Sequence, residues 1–364
     1  MNETIIGVAE AQPFQLLLMY EWGLTVIRAI QQVQSPALTA LMRFISALGS
    51  ELLYAPAILF TLWCLDEKRG FRFGVLLIIS VWINIFLKDT FAQPRPFVID
   101  PSVGIGSTSG YSLPSAHAQL AVCFWIHAAA QLSAVFQRRT RAIWAAAISM
   151  ILLISFSRVY LGVHYPTDIL AGWIAGSLVL ALFFAADKVF ARLQARAQTR
   201  VRSQTDDQTD AQVGAAQARA AQARVQGRLP GLAAAVVALA MNELSPHGRA
   251  FSALFLGFCF GSMLMKQRFP FSARGEIGGQ KPGVKIILAR CCLGLVSTAA
   301  LFLALRLIAP GESSLLRNIP AWGANSPFLD IGKFARYALV ALWVAAGAPR
   351  LFQRLGLAKG AAPE

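Results

Sequence analysis

Three short segments of this chain carry the polar residue types that cleavage of a phosphate ester requires. They contain three basic side chains, two imidazoles and one carboxylate: Lys88 and Arg95 in the first segment, His117 in the second, and Arg158, His164 and Asp168 in the third. A tetrahedral phosphate needs donors for its oxygens, a nucleophile, and an acid for the leaving group. The combination therefore predicts hydrolysis of a phosphate ester, if the fold brings the three segments together.

The second segment, Pro114-Ser115-Ala116-His117, precedes a long apolar stretch. Proline is favoured in the first turn of a helix, so we expect a helix to begin here with the backbone N–H groups of Ser115, Ala116 and His117 free. Such N–H groups form an anion site together with the helix dipole, and the Ser115 hydroxyl adds a donor. Taken alone, the segment is equally well explained by a simple serine cap and an interfacial histidine.

The third segment places His164 and Asp168 on either side of Pro166, at the predicted start of another helix. Residues four apart on a helix can touch, so the carboxylate can hold one ring nitrogen and leave the other as a nucleophile. A structural hydrogen bond explains an isolated pair of this kind equally well. Lys88 and Arg95 alone are typical of basic side chains that extend to the membrane surface. The succession of all three segments at helix ends favours one shared site.

The composition is that of a membrane protein. Of the 364 residues, 56% are hydrophobic and 14% are charged, and the mean hydropathy is +0.55, whereas soluble domains carry about 25% charged residues. We therefore expect an all-α, polytopic membrane helix bundle. The net charge of +15 could suggest a nucleic-acid partner. The basic residues cluster at helix ends without interleaved aromatic residues, however, so we expect no nucleic acid.

Apolar segments of nearly bilayer length predict nine membrane spans in two blocks, of which the short segment 229–243 is alternatively a partial span or half of a hairpin. The first block comprises residues 50–66, 73–90, 115–136, 142–163 and 166–187, and the second comprises residues 229–243, 249–265, 285–308 and 333–349. Residues 188–228 are too polar for a membrane, and we expect a flexible or partly helical cytoplasmic linker there. The expected domains are an amphipathic N-terminal segment at 1–35, a core at 36–187, this linker, a C-terminal transmembrane block at 229–350 and a cytoplasmic tail at 351–364.

The basic loops predict the orientation of the spans. One face carries Lys68, Arg69 and Arg72, then Arg138, Arg139 and Arg141, then Lys188, Arg192 and Arg196. By the positive-inside rule this face is cytoplasmic. The three polar segments then lie on the opposite face, toward the periplasm, the exterior or an organelle lumen. We expect a bacterial inner membrane protein with its site facing outward.

The three segments resemble the signature motifs of the type 2 phosphatidic acid phosphatase superfamily, over about residues 36–187. Ala116 is a departure, because the family usually has glycine there. Alanine retains the backbone N–H, so we expect little loss and a slightly tighter pocket. The resemblance implies a core of that family plus extra C-terminal transmembrane helices. Those helices are similar only in outline to the nine-span plan of glucose-6-phosphatase and the sphingosine-phosphate phosphatases.

The resemblance also implies a role for each motif residue. His164 attacks phosphorus and becomes phosphohistidine, Asp168 orients it, and His117 protonates the leaving group. The residues expected to bind the phosphoryl group of the substrate are Lys88, Arg95, Ser115, Ala116 and Arg158. No metal or other cofactor is implied, and the five cysteines show no spacing typical of metal ligands.

The expected substrate is a lipid phosphate or diphosphate, and membrane lipids are the expected surroundings. Undecaprenyl diphosphate or a related lipid phosphate is the leading candidate, with phosphatidic acid, phosphatidylglycerophosphate and sphingosine phosphate as alternatives. A protein that only binds or transports a lipid phosphate is a further alternative, although binding alone would not need a nucleophile, an acid and an orienting carboxylate. A soluble vanadium haloperoxidase is disfavoured by the spans. The sequence leaves the oligomeric state open.

Overall fold

The computed structural model describes residues 14–205, 231–276, 280–309 and 328–359. These residues fold into helices joined by short connections. Their only strand-like positions are single bridge residues such as Phe271 and Gln280, and the described ranges contain no sheet. The all-α prediction is therefore confirmed. The predicted N-terminal segment and C-terminal tail are described only in part, because residues 1–13 and 360–364 lie outside these ranges.

The first part of the chain forms helices α1 to α7. They are α1 (Phe14–Gln31), α2 (Pro36–Ala47), α3 (Glu51–Phe60), α4 (Glu67–Phe91), α5 (Ala116–Val135), α6 (Thr140–Tyr160) and α7 (Pro166–Thr205). Helix α3 continues into a π-helical segment, Thr61–Leu65. Because α7 extends to Thr205, the described part of the predicted linker is helical, and residues 206–228 lie outside the described ranges.

The second part of the chain forms helices α8 to α12. They are α8 (Gly231–Leu244), α9 (Arg249–Arg268), α10 (Val284–Ile308), α11 (Leu329–Leu342) and α12 (Ala348–Arg354). A π-helical segment, Trp343–Gly347, joins the last two helices. A single 3₁₀ turn, Pro246–Gly248, stands immediately before α9, and the side chain of Ser245 accepts a hydrogen bond from Gly248 N at its start.

Among the described residues, seven helical stretches are long and apolar enough to cross a membrane, so this is an integral membrane protein. They are Glu67–Ile99, Ala116–Val135, Gln137–Tyr160, Pro166–Ala186, Pro246–Arg268, Val284–Ile308 and Leu329–Arg354. Two predicted spans, 50–66 and 229–243, correspond to the shorter apolar helices Leu53–Leu65 and Gly231–Leu244. A helix as short as the latter is about 21 Å long, less than the roughly 30 Å of a hydrocarbon core. Seven of the nine predicted spans thus have full length.

The chain groups into two compact units that do not follow chain order. The first unit contains residues up to Pro56 together with Ser80–Leu180, and the second contains Ala57–Ile79 together with the residues from Ala181 onward. The first half of helix α4, up to Ile79, therefore belongs to the second unit, and its second half, from Ser80, belongs to the first unit. All three polar segments lie in the first unit. The domain boundaries expected from the sequence follow chain order and remain predictions.

Two glycines allow helices α5 and α7 of the first unit to approach closely. A Cβ atom at Gly172 would lie 2.7 Å from the Ser115 carbonyl oxygen, and one at Gly176 would lie 2.6 Å from that of Gln119. Residues four apart face the same side of a helix, and small residues of this kind let membrane helices pack backbone to backbone. The beginning of α7 is thereby held against the beginning of α5, where two of the polar segments lie.

Helices α2, α5 and α6 form an apolar core in the first unit. Its buried members include Met42 and Ile45 of α2, Ala121 of α5, and Ile151 and Ile154 of α6. Ile154 is fully buried and precedes the end of α6 by less than two turns. This packing holds the third polar segment, which begins at the end of α6, in place beside α2.

The second unit has its own core, centred on a buried tryptophan and a buried arginine. Trp63 donates from Nε1 to the Val344 carbonyl oxygen at 3.0 Å. Arg290 is fully buried and donates to three backbone carbonyl oxygens, those of Leu357 at 2.9 Å, Trp63 at 3.2 Å and Ala273 at 2.7 Å. The arginine thus satisfies buried carbonyl groups of three separate segments of the second unit.

Candidate active site

The three polar segments come together at one end of the first unit. The first segment leaves the end of α4, the second begins α5, and the third connects α6 to α7. Ser115 is the N-cap of α5, and its hydroxyl accepts a hydrogen bond from Ala118 N at 3.4 Å. The predicted helix start is therefore correct. The Ser115 N–H is not free as expected, because it donates to the Asp168 carbonyl oxygen at 3.0 Å.

His164 and Asp168 form the predicted contact. Nδ1 of His164 lies 3.1 Å from Oδ2 of Asp168, and the same oxygen accepts the Tyr165 N–H at 2.9 Å. Both side chains are almost fully excluded from solvent. A carboxylate accepts hydrogen bonds, so Nδ1 carries the proton and Nε2 keeps its lone pair. The histidine is thus oriented with Nε2 available as a nucleophile.

Two further donors hold the Asp168 carboxylate, and the sequence analysis assigned neither of them a role. The Ser112 hydroxyl donates to Oδ2, and Nε2 of Gln93 donates to Oδ1 at 3.3 Å. Both carboxylate oxygens therefore have partners, which fixes the plane of the carboxylate. Gln93 directly precedes Pro94, and Ser112 stands two residues before Pro114. A polar residue within two positions of a proline was the available signal.

The two cations of the first segment bind the loop before the second segment. Arg95 donates from Nε to Gly110 O at 2.7 Å and from Nη2 to Ser109 O at 2.9 Å. Lys88 donates from Nζ to the carbonyl oxygens of Tyr111 and Ser112. Four consecutive carbonyl groups are therefore held by two positive charges. The cations position this loop, in addition to any contact they make with a substrate.

Arg95 also reaches the third segment. Its Nη1 atom donates to the Val163 carbonyl oxygen at 2.9 Å and lies 3.2 Å from Nε2 of His164. With only 4% of its surface exposed, the Arg95 side chain lies in the interior beside the histidine. A positive charge next to Nε2 is suited to attracting an anion to this ring nitrogen.

Arg158 is held by a residue of α2. Its Nη1 atom donates to the hydroxyl of Ser46, which is itself buried. Nε of Arg158 is buried and has no hydrogen-bond partner among the described residues. A buried, unpaired N–H is costly, so this atom is a donor suited to a ligand oxygen. Ser46 is a contact that the sequence analysis did not identify.

Burial lowers the pKa of His164 well below its ordinary value of 6.5, and the neighbouring charges of Arg95, Lys88 and Arg158 lower it further. Both effects disfavour the imidazolium form. The ring is therefore neutral near pH 7, as a nucleophile must be. The nearby His117 side chain also lowers the pKa of His164. Its ring lies against the turn between α2 and α3, where a Cβ atom at Gly49 would be 3.2 Å from Cδ2.

A buried polar network supports the beginning of α5. Nδ2 of Asn84 donates to the Pro114 carbonyl oxygen at 3.2 Å and to Oε1 of Gln119 at 2.9 Å. Gln119 in turn donates from Nε2 to the Ser80 carbonyl oxygen at 2.8 Å. The side chains of Ser80, Asn84 and Gln119 are all buried in apolar helices, where an unpaired polar group would be costly. The network therefore fixes Pro114 and the motif that follows it.

Three protein cations surround His164. The positive charges of Lys88, Arg95 and Arg158 all lower the pKa of His164. Within the described ranges, no three His, Cys, Asp or Glu side chains converge as a set that could hold a metal ion. Fixed guanidinium and ammonium groups can neutralise charge that develops on a transferring phosphoryl group. The site therefore combines an oriented imidazole with preorganised positive charge.

Two family models match the chain. The model of the PAP2 superfamily matches residues 69–191, which include all three polar segments. The model described as PAP2 superfamily phosphatase, transmembrane extension, matches residues 250–360. The C-terminal helices, in which the sequence analysis found no catalytic motif, are thus similar to a transmembrane extension known in that superfamily.

Curated relatives include phosphatases from different kingdoms. An undecaprenyl-diphosphatase of Sulfolobus acidocaldarius is 32% identical over 164 residues, which cover 43% of this chain and 75% of the relative. Sphingosine-1-phosphate phosphatase 1 of Rattus norvegicus is 27% identical over 164 residues, which cover 43% of this chain and 36% of the relative. The chain thus covers most of the archaeal protein but little more than a third of the rat protein.

Among solved structures, a transmembrane PAP2-type phosphatidylglycerolphosphate phosphatase of Bacillus subtilis is similar to part of the chain. It is 24% identical, with a TM-score of 0.43, and the match covers 50% of this chain and 92% of that structure.

Proposed function

This chain belongs to the PAP2 superfamily of phosphatases, and we propose that it hydrolyses a lipid phosphate or diphosphate through a phosphohistidine intermediate. The observation that carries the proposal is the orientation of His164. Its Nδ1 atom faces Asp168 at 3.1 Å, and its Nε2 atom lies beside the cation of Arg95 at 3.2 Å. A lipid substrate is consistent with a site built at the ends of membrane-spanning helices.

The proposed reaction has two steps. In the first, Nε2 of His164 forms a bond to phosphorus while the bond from phosphorus to the leaving oxygen breaks, and His117 gives that oxygen a proton. In the second, water attacks the phosphohistidine, its proton passes to His117, and the bond from phosphorus to nitrogen breaks. Phosphate leaves and the histidine is regenerated, so no atom or proton is lost from the enzyme.

The fixed charges have distinct proposed roles. Asp168 holds the proton of Nδ1 and stabilises the positive charge that forms on the ring when Nε2 is phosphorylated. Arg158 offers its unpaired Nε atom to a phosphoryl oxygen. Arg95 has to release Nε2 when the phosphoryl group enters, and it then donates to the phosphoryl oxygens instead. Lys88 contributes positive charge and holds the loop in place.

We propose undecaprenyl diphosphate, or a related lipid phosphate, as the substrate. The name of the Sulfolobus relative supports this choice, because the chain covers three quarters of that protein. The rat relative favours sphingosine phosphate as a second candidate. Phosphatidic acid and phosphatidylglycerophosphate are further candidates. We also propose a bacterial inner membrane location, and the basic loops favour a site that faces outward.

A panel of substrates tests the proposal. Purified protein in detergent would be given undecaprenyl diphosphate, sphingosine phosphate, phosphatidic acid and phosphatidylglycerophosphate separately, and released phosphate would be measured. We expect the highest kcat/KM with undecaprenyl diphosphate and no release by the His164→Gln variant. Release from another lipid only would change the substrate, and lipid binding without release from any of them would favour a binding or transport protein.

A further inference from the structure

The second unit contains an apolar groove that ends at a pair of opposite charges. The pair is Arg249, the first residue of α9, and Asp330, the second residue of α11, whose Nη1 and Oδ2 atoms lie 2.6 Å apart. The groove has a volume of about 290 Å³. Its lining comprises Ala235, Ala238, Leu239 and Asn242 of α8, Arg249 and Leu256 of α9, and Asp330, Ile331 and Phe334 of α11.

The shape of the groove follows from the packing of three helices. Helices α9 and α11 are in backbone contact, since a Cβ atom at Gly257 would lie 2.0 Å from the Ala338 carbonyl oxygen. Helix α8 presents two alanines, Ala235 and Ala238, toward the groove. Small side chains on one face leave a depression. Leu239 at its edge is 64% exposed, which shows that the depression is open to the surface. The groove can therefore accommodate an extended hydrocarbon chain.

The charged pair lies at the level expected for lipid headgroups. Arg249 falls in the first turns of the candidate span Pro246–Arg268, and Asp330 falls in the first turn of the candidate span Leu329–Arg354. The apolar lining residues Leu256 and Phe334 lie further along the same two helices. A lipid seated in the groove would thus have its chain along the apolar part and its headgroup at the pair.

The pair still has bonding capacity for a ligand. Nε of Arg249 is buried and has no hydrogen-bond partner among the described residues. Arginine binds phosphate through two parallel N–H donors, and Asp330 can accept from an ammonium group while it faces the arginine. One cation and one anion side by side complement a headgroup that also carries one charge of each sign. A purely anionic headgroup would instead be repelled by Asp330.

We propose that this groove binds one zwitterionic membrane phospholipid with a phosphoethanolamine headgroup. The phosphate lies on Arg249, the ammonium group lies on Asp330, and one acyl chain follows Ala238 and Leu239. The site is separate from the residues of the phosphatase reaction and does not depend on the proposed function. It gives the C-terminal helices a ligand of their own in the membrane.

Native mass spectrometry of the full-length protein tests the site. Delipidated protein in detergent would be titrated with phosphatidylethanolamine, phosphatidylcholine and phosphatidylglycerol that share the same acyl chains. We expect one tightly bound phosphatidylethanolamine. The variants Arg249→Gln and Asp330→Asn should bind it at least about tenfold more weakly, a loss of about 1.4 kcal/mol. Lys333→Gln removes an exposed cation of the same helix that does not line the groove, and its binding should be unchanged.

A second variant tests the groove without touching the charges. Ala238→Phe fills the depression and should remove the tight phosphatidylethanolamine while the Arg249 and Asp330 pair is intact. Melting temperatures show whether each variant is folded, and phosphate release checks the other site independently. The proposal is wrong if the wild type prefers phosphatidylglycerol, if it binds no phosphatidylethanolamine because another part of the chain fills the groove, or if folded Arg249→Gln or Ala238→Phe protein retains full binding.

Discussion

Nη1 of Arg95 lies 3.2 Å from Nε2 of His164, the atom that the proposed reaction uses as its nucleophile. Because Asp168 occupies the other ring nitrogen, the arginine faces the only lone pair that can attack phosphorus. In the proposed reaction, a phosphoryl group that binds Arg95 would draw the guanidinium away from Nε2 and enter the same space. The proposal therefore couples binding of the substrate to release of Nε2 through one side chain.

We expect His164→Gln to reduce turnover by at least about 10⁴-fold, because the variant loses the nucleophile itself. His247→Gln, in the turn before α9, is the matched control and should retain activity. With ³²P-labelled substrate, wild-type protein should form a phosphoenzyme that is labile to acid. Label attached stably to a serine would show that another residue attacks phosphorus.

We expect Ser112→Ala to lower kcat roughly ten- to hundredfold with little change in KM. The variant removes a buried donor to Asp168, and the loss of such a hydrogen bond costs about 1–3 kcal/mol. Ser112→Thr retains the hydroxyl and should restore most of the rate. Ser107→Ala, an exposed serine of the same loop, should have no effect. A rise in KM with unchanged kcat would indicate that Ser112 contacts the substrate instead.

We expect His164 to remain neutral at pH 5.5, because burial and the adjacent cations lower its pKa well below 6.5. Nitrogen NMR of protein with ¹⁵N-labelled histidine measures this directly, and the His164→Gln spectrum assigns the signals. Below about pH 6.5 the unfolded chain binds a proton that the folded chain does not. The stability contributed by this group is therefore present above that pH and declines as the pH falls.

The melting temperature should likewise decline as the pH falls. Between pH 7 and pH 5.5 the melting temperature of the wild type should fall more than that of His164→Gln, which has no imidazole at this position. Protonation of His164 with a midpoint near pH 6.5, or equal losses in the two proteins, would contradict the neutral, buried imidazole.

We expect activity to persist in excess chelator and to be inhibited by vanadate. Lys88, Arg95 and Arg158 supply the positive charge that magnesium provides in many phosphoryl-transfer enzymes, and vanadate imitates the five-coordinate phosphorus of the transition state. Phosphate release would be measured with EDTA and with vanadate in separate assays. Complete loss of activity in EDTA that magnesium restores would refute this mechanism.

We expect a cysteine at Thr108 to react with a membrane-impermeant thiol reagent on intact cells and a cysteine at Thr140 to be protected. Both would be placed in a background without the five native cysteines. Thr108 lies in the loop of the candidate site, and Thr140 begins α6 beside three arginines. Basic residues near the cytoplasmic leaflet are each favoured by about 1 kcal/mol. The opposite labelling pattern would invert the topology and the outward-facing site.

Several features of this protein could be predicted from local sequence alone. The apolar lengths indicated the membrane helices, the proline at 114 marked the start of α5, and the spacing of His164 and Asp168 predicted their contact. These predictions succeed because hydropathy and helical periodicity act over a few residues. The predicted spans 50–66 and 229–243 correspond to the shorter helices Leu53–Leu65 and Gly231–Leu244, and the second of these was already short in the sequence.

Other features depend on contacts between residues distant in sequence. Ser112 and Gln93 reach Asp168 across 56 and 75 residues, and Ser46 reaches Arg158 across 112 residues. The grouping of Ala57–Ile79 with the C-terminal helices in one unit also depends on contacts between residues distant in sequence.

The sequence by itself determined which residues can do chemistry and which segments are membrane helices, because residue type and periodicity are local properties. Only the tertiary structure decided which polar side chains hold those residues in place. Helix packing sets these partners, and in the first unit it depends on close approaches such as those of Gly172 and Gly176 to α5. No pattern within one segment encodes how close two helices come.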